Sequence, residues 1–90
     1  MNDEPVHIPI NGVIDLHTFR PEEASDLVNE YIRVCFEKNI FEVKIIHGKG
    51  KGILRRTVES ALRKHPLVIT FEQDQGPSGW GATIAFLKSN

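Results

Sequence analysis

The chain has 90 residues, 40% of them hydrophobic and 26% charged, with a net charge of −1; that length fits one domain and leaves little room for a second, and the composition excludes a disordered chain, which would be less apolar and more highly charged. A single cysteine, Cys35, excludes an internal disulfide and points to a reducing, cytoplasmic setting. The apolar runs are too short to span a bilayer, so no membrane partner is expected, and the acidic start Met1-Asn2-Asp3-Glu4-Pro5 is unlike a signal peptide.

Residues 1–11 show no period, and Pro5 and Pro9 interrupt regular structure; they read as an N-terminal arm to a domain of residues 12–90. Val13–His17 reads as a strand, with Ile14 and Leu16 on one face and Asp15 and His17 on the other. Pro21, followed by Glu22 and Glu23, suits the first turn of a helix. Ala24, Leu27, Val28, Tyr31, Ile32, Cys35 and Phe36 then form an unbroken apolar stripe, which Asn39 ends. Phe41–Ile46 is apolar enough for a buried second strand. After the glycine segment Gly48–Gly52, a second helix runs over Ile53–Lys64, with Leu54, Val58, Ala61 and Leu62 inward and Arg55, Arg56, Glu59 and Arg63 outward. Leu67–Gln73 is a third strand, Gln75–Gly81 a turn-rich loop and Ala82–Leu87 a fourth strand.

The order βαβαββ predicts an α/β (α+β) two-layer sandwich. Crossovers through helices make the first three strands parallel, and the closing hairpin makes the fourth antiparallel, giving a mixed four-stranded sheet with both helices on one face. His17, His47 and the Gly79–Gly81 loop then gather at the carboxyl edge of the parallel strands, where open sheets of this kind bind ligands. Charge gathers there too. Residues 1–43 hold nine acids and three bases, whereas residues 44–64 hold seven bases against Glu59 alone. A segment of that kind binds a polyanion locally in a chain that is neutral overall; the plainer reading is a solvated helix face.

Asp15 and His17 read either as a proton-transfer pair at an exposed edge or as an ordinary polar strand face. His47-Gly48-Lys49-Gly50-Lys51-Gly52 opens a helix after a strand. Its glycines let backbone N–H groups approach a phosphate, and Lys49, Lys51, Arg55 and Arg56 supply neutralising charge. The Gly-Lys-Ser/Thr ending of a nucleotide-hydrolysing P-loop is absent. Trp80, between Gly79 and Gly81, either stacks on a base or caps a small core. A metal held by Asp15, His17 and His47 is conceivable, but there is no paired-histidine motif or cysteine cluster, so a metal-free and cofactor-free site is expected. His7 in the arm, His65 at a helix end and Cys35 on the apolar stripe read as structural.

Three signatures together carry a family resemblance. Ile14-Asp15-Leu16-His17, His47-Gly48-Lys49-Gly50 and Gly79-Trp80-Gly81-Ala82-Thr83 occur in order, and the chain over about residues 12–88 resembles the Smr (small MutS-related) domain family, in particular its small stand-alone bacterial members. The resemblance implies a fold similar to the C-terminal domain of bacterial translation initiation factor 3. It implies binding of nucleic acid, RNA or DNA, and in several members endonuclease activity. Asp15 and His17 would be the catalytic pair, with His47, Gly48 and Gly50 the second part of the site. Two positions depart from the pattern: Thr18 and Ser78 stand where glycine is common in the family.

The leading expectation is an endonuclease, cleaving RNA or nicking DNA, in which one imidazole takes the proton of the attacking oxygen and the other protonates the leaving one. Lys49, Lys51 and the N–H groups of Gly48–Gly52 would stabilise the phosphate charge. The alternative is a non-catalytic nucleic-acid- or ribosome-binding module, using Gly48–Gly52, Arg55, Arg56 and the Gly79-Trp80-Gly81 loop. A third reading is a protein-interaction domain acting through the open sheet face.

Overall fold

The computed structural model describes residues 8–50, 52–76 and 81–89. Among them, the elements run β1 (Val13–Asp15), α1 (Pro21–Glu37), β2 (Glu42–Ile46), α2 (Ile53–Lys64), β3 (Val68–Gln73) and β4 (Ala82–Leu87). The four strands form one sheet in the order β1-β2-β4-β3. β1 pairs parallel to β2, and β4 pairs antiparallel to both β2 and β3, so the first three strands run one way, as expected from the sequence.

The position of β4 between β2 and β3 follows from composition. Ala82-Thr83-Ile84-Ala85-Phe86-Leu87 presents little polar surface on either side, as a central strand requires. β3 alternates Thr70 and Glu72 with Phe71 and Gln73 and suits an edge. Its register shifts between Val68 and Thr70, leaving Ile69 exposed; such irregularity is common at sheet margins.

α1 starts at Pro21, where the Glu23 carboxylate accepts the Arg20 N–H at 3.1 Å. It ends where Asn39 turns to φ 62° and the Ile40 N–H reaches the Cys35 carbonyl at 2.9 Å, a left-handed stop that asparagine tolerates. Its outer face carries Arg33 paired with Glu30 and, at 2.6 Å, with Glu37. Its inner face buries Ala24, Val28, Tyr31, Ile32 and Cys35 against Ile14, Leu16, Val43, Ile45, Ala85 and Leu87 of the sheet and Val58, Ala61 and Leu62 of α2. Register pairs Ile14 with Ile45, Ile45 with Thr83 and Val43 with Ala85, so one face of the sheet forms the core. Burial pushes the Cys35 thiol up, which fits an inert core residue.

Ile8 and Ile10 pack against the core although the sequence places them in the arm. The hydroxyl of Tyr31 fixes this entry, lying 2.9 Å from the Pro9 carbonyl and 3.0 Å from that of Val13 while accepting the Gly12 N–H at 3.2 Å. On the opposite face of the sheet, Lys44 reaches across β4 to Asp74 at 2.9 Å. Among the described residues, no helix is long and apolar enough to cross a membrane.

Candidate functional site

β1 is short, but its pairing continues through the Leu16 N–H to the Ile46 carbonyl at 2.7 Å, and the chain then turns with the Phe19 N–H on the Leu16 carbonyl at 2.9 Å. Leu16 is buried, and His17 beside it is not. Asp15 Oδ1 holds His17 twice, through its backbone N–H at 3.0 Å and its ring Nδ1 at 2.5 Å. Chiefly the side-chain hydrogen bond, then the backbone one, holds the Asp15 carboxyl below its ordinary value of 3.8. An ionised carboxylate only accepts, so the Nδ1 nitrogen carries the proton, and in the neutral ring Nε2 offers a lone pair. The two side chains are 49% and 56% exposed. Such an arrangement can accept a proton at an accessible nitrogen.

The glycine turn after β2 lies against this pair. The N–H groups of His47 and Gly48 both donate to the Gly81 carbonyl, at 2.8 and 2.9 Å. This anchors the turn to the start of β4. Gly48 has φ +82°, and a Cβ there would lie 3.4 Å from that of His17; glycine permits both the conformation and the close approach. Gly52, at φ +85°, caps α2; no side chain caps this end and its first turn holds no acid. Its partial positive charge is therefore not offset by a carboxylate in that turn. A groove of about 460 Å³ runs here, lined by His17, Phe19, Lys49, Gly50, Ile53 and Arg55 among others. Lys49 and Gly50 are exposed, and among the described residues the buried Arg55 Nε has no hydrogen-bond partner.

The second imidazole departs from expectation. His47 is only 4% exposed, with Nε2 2.9 Å from Thr83 Oγ1 and Nδ1 3.0 Å from the Gly48 carbonyl. A carbonyl only accepts, so the neutral ring donates from Nδ1 and accepts the Thr83 hydroxyl at Nε2. Both nitrogens are spent inside the fold. His47, expected to exchange protons together with His17, lies inside the fold, where its ring joins the glycine turn to β4. Nor do Asp15, His17 and His47 form a metal-ligand set; no group of three or more His, Cys, Asp or Glu side chains able to hold a metal occurs among the described residues.

Of the other residues singled out from the sequence, Gly48, Lys49, Gly50, Gly52 and Arg55 line the groove. Gly81 supports it from beneath through its carbonyl. Arg56 is exposed, its guanidinium beside Gly52. Lys51, Gly79 and Trp80 lie outside the described residues, as does His7. Thr83 is a sheet residue as expected, but its hydroxyl also fixes His47, and the apolar lining by Phe19, Pro21, Ile53 and Leu54 has no counterpart in the sequence reading. A larger groove of about 780 Å³ between α1 and the far end of α2 carries mixed charge from Asp26, Glu30, Arg33 and Lys64. Its His65 is engaged structurally, with Nε2 on the Asn29 carbonyl at 3.2 Å and Nδ1 accepting the Leu67 N–H at 3.1 Å.

The family model described as the Smr domain matches residues 14–88. Endonuclease MutS2 of Clostridium botulinum (strain Eklund 17B / Type B) is 41% identical over 80 residues, which are 88% of this chain but 10% of that protein. Ribosome rescue factor SmrB of Buchnera aphidicola subsp. Baizongia pistaciae is 31% identical over 75 residues, 83% of this chain and 43% of that protein. The chain thus spans about a tenth of the MutS2 relatives and under half of SmrB. Among solved structures, the Smr domain of Thermus thermophilus MutS2 matches with TM-score 0.79 and 28% identity, over 84% of this chain and 96% of that one. YdaL, a stand-alone small MutS-related protein from Escherichia coli, matches with TM-score 0.81 and 25% identity, over 92% and 69% respectively. The three sequence signatures, the mixed four-stranded sheet and the match over residues 14–88 agree: the chain belongs to the Smr domain family.

Proposed function

We propose that this domain binds nucleic acid through the groove at the carboxyl edge and cleaves a phosphodiester there, with Asp15 and His17 as the reacting pair. The supporting observation is the exposed His17, held through Nδ1 by a charged Asp15 beside a cationic glycine turn. On RNA, His17 Nε2 takes the proton of a 2′-hydroxyl, whose oxygen attacks the adjacent phosphorus. The bond to the 5′-oxygen breaks, and that oxygen takes a proton from water or from the Lys49 ammonium. The products are a cyclic phosphate and a 5′-hydroxyl. On DNA the same nitrogen takes a proton from water, whose oxygen attacks phosphorus; the bond to the 3′- or the 5′-oxygen breaks, and that oxygen is protonated by water or Lys49, leaving a 5′-phosphate or a 3′-phosphate end respectively. Lys49, Arg55 and the N-terminus of α2 offset the charge that develops on phosphate. His47, Thr83 and Gly81 hold the turn in place.

The names of the relatives support this reading: an endonuclease and a ribosome rescue factor share the domain. The single buried thiol fits a cytoplasmic setting. The test is incubation of labelled single-stranded RNA and supercoiled plasmid with wild type and His17→Ala, with and without EDTA. His17→Ala is expected to lower cleavage at least about 10²-fold with binding largely kept. Equal rates would remove His17 from the chemistry, and loss of cleavage in EDTA would make the reaction metal-dependent.

One observation favours a second reading, a non-catalytic nucleic-acid- or ribosome-binding module. With His47 buried, no second accessible imidazole lines the groove among the described residues. That module would show salt-dependent binding through Arg55 and Arg56 and no product after long incubation.

A further inference from the structure

The lining of the groove joins two chemistries that a phosphate site alone does not require. Lys49, Arg55 and the glycine turn suit an anion; Phe19, Pro21, Ile53 and Leu54 add apolar surface. Ile53 is the informative member. It is the first residue of α2, 51% exposed, and is not among the side chains packed against the core. Helix first turns favour polar and acidic residues, so an exposed isoleucine there opposes local preference and is not explained by the core. Phe19 packs partly on the core yet also contributes to the groove. Beside them the buried Nε–H of Arg55 has no acceptor among the described residues, and a buried donor of that kind costs stability until something fills it.

A duplex offers this groove only sugars and phosphates, because its bases are stacked on one another. An unpaired nucleotide offers both halves of what the groove matches: an apolar base face and an anionic phosphate. We infer that the groove seats one unstacked base on Phe19 and Ile53, with its neighbouring phosphate on Arg55 and Lys49 next to His17, and so selects unpaired strands over duplex. This rests on the reading of the groove as a nucleic-acid site and adds to it the substrate class and two specificity residues.

The test measures binding by fluorescence anisotropy at one fixed salt concentration. Three short labelled probes share the 2′-O-methyl backbone, which blocks attack by the 2′-oxygen: a single strand of mixed sequence, its duplex, and a strand of the same length without bases. The single strand is expected to bind at least about tenfold more tightly than the base-free strand, and more tightly than the duplex. Ile53→Ser and Phe19→Leu should weaken single-strand binding by about three- to tenfold and leave base-free binding unchanged. Ile53→Ser alters an exposed position and keeps the measurement independent of any loss of packing at Phe19. Equal affinity for the three probes, or equal weakening of single-strand and base-free binding by Ile53→Ser, would overturn the inference. If the single strand binds with the expected preference but the RNA analogue bearing 2′-hydroxyls is never cleaved, the cleavage reading fails and the base seat stands. If no probe binds, both fall.

Discussion

Replacing Thr83 with valine separates the support of the site from its chemistry. Thr83 is fully buried in β4, and its hydroxyl is the partner of His47 Nε2 at 2.9 Å. The Gly48 carbonyl takes the proton side of the ring, so Nε2 depends on the Thr83 O–H as donor. Valine keeps the shape and the strand preference of threonine but strips that donor. The loss is a hydrogen bond together with an acceptor stranded out of water, about 1–3 kcal/mol. In a domain of this size each kcal/mol moves the melting midpoint by about 4–8 °C, so a loss of about 2 kcal/mol predicts a fall of roughly 8–16 °C. Urea denaturation followed by circular dichroism measures it. The same substitution in a His47→Ala background should cost little, because the hydroxyl then has no ring to serve, and the two changes should be non-additive by about 1 kcal/mol. A Thr83→Val protein within about 0.5 kcal/mol of wild type, or strict additivity with His47→Ala, would refute the assignment of His47 as a hydrogen-bonded strut.

Gly48→Ala forces a side chain into a φ of +82° and against His17, and should cost about 1–2 kcal/mol and impair cleavage; Gly50→Ala, with open space around it, should cost under about 0.5 kcal/mol by the same denaturation measurement. The Asp15 carboxyl should titrate below 3.8 by carbon-13 NMR and return toward that value in His17→Ala. Its folded value lies below its unfolded one, so its contribution to stability stands above the unfolded value and is lost as pH falls through the folded one, in the window below 3.8; a midpoint at or above 3.8 would contradict the pairing. Arg55→Ala should reduce the salt dependence of nucleic-acid binding by about one unit of slope, whereas Arg33→Ala, on the outer face of α1 and already paired with Glu30 and Glu37, should leave the slope unchanged.

The elements were legible in the sequence because each has its own period. The apolar stripe of α1, the start of α2 after Gly52 and the span of β4 lie where the spacing puts them. The order of the strands was not, since periodicity describes a strand's faces and not its neighbours. The position of β4 rests on pairing between residues more than thirty apart in the chain, such as Ile45 with Thr83. The fate of His47 was written in the same alternation but passed over. Val43 and Ile45 are buried on the core side, and His47, two further on, continues that face inward. Asp15 lies on the opposite face from Ile14, and His17 keeps to it. Parity alone therefore separates an accessible histidine from a buried one. The apolar lining from Phe19 and Ile53 had no such signal, because a turn residue and a helix start carry no period long enough to read.

The three signatures consequently divide the work between them. Ile14-Asp15-Leu16-His17 holds the exposed Asp15–His17 pair beside two buried apolar residues. His47-Gly48-Lys49-Gly50 forms the turn that lines the groove, and its histidine faces inward to fix it. Gly81 and Thr83, from the third, meet that turn from below, the one through its carbonyl and the other through its hydroxyl. Damage should sort accordingly. A change at His17, half exposed and bonded to Asp15, should strike turnover and cost only the modest stability that this pairing contributes. A change at His47 or Thr83 should lower stability and turnover together, because the turn that would bind phosphate is held by the same two hydrogen bonds that satisfy the buried ring. A His47→Ala protein of undiminished stability but abolished cleavage would reverse that division and restore the second imidazole to the chemistry.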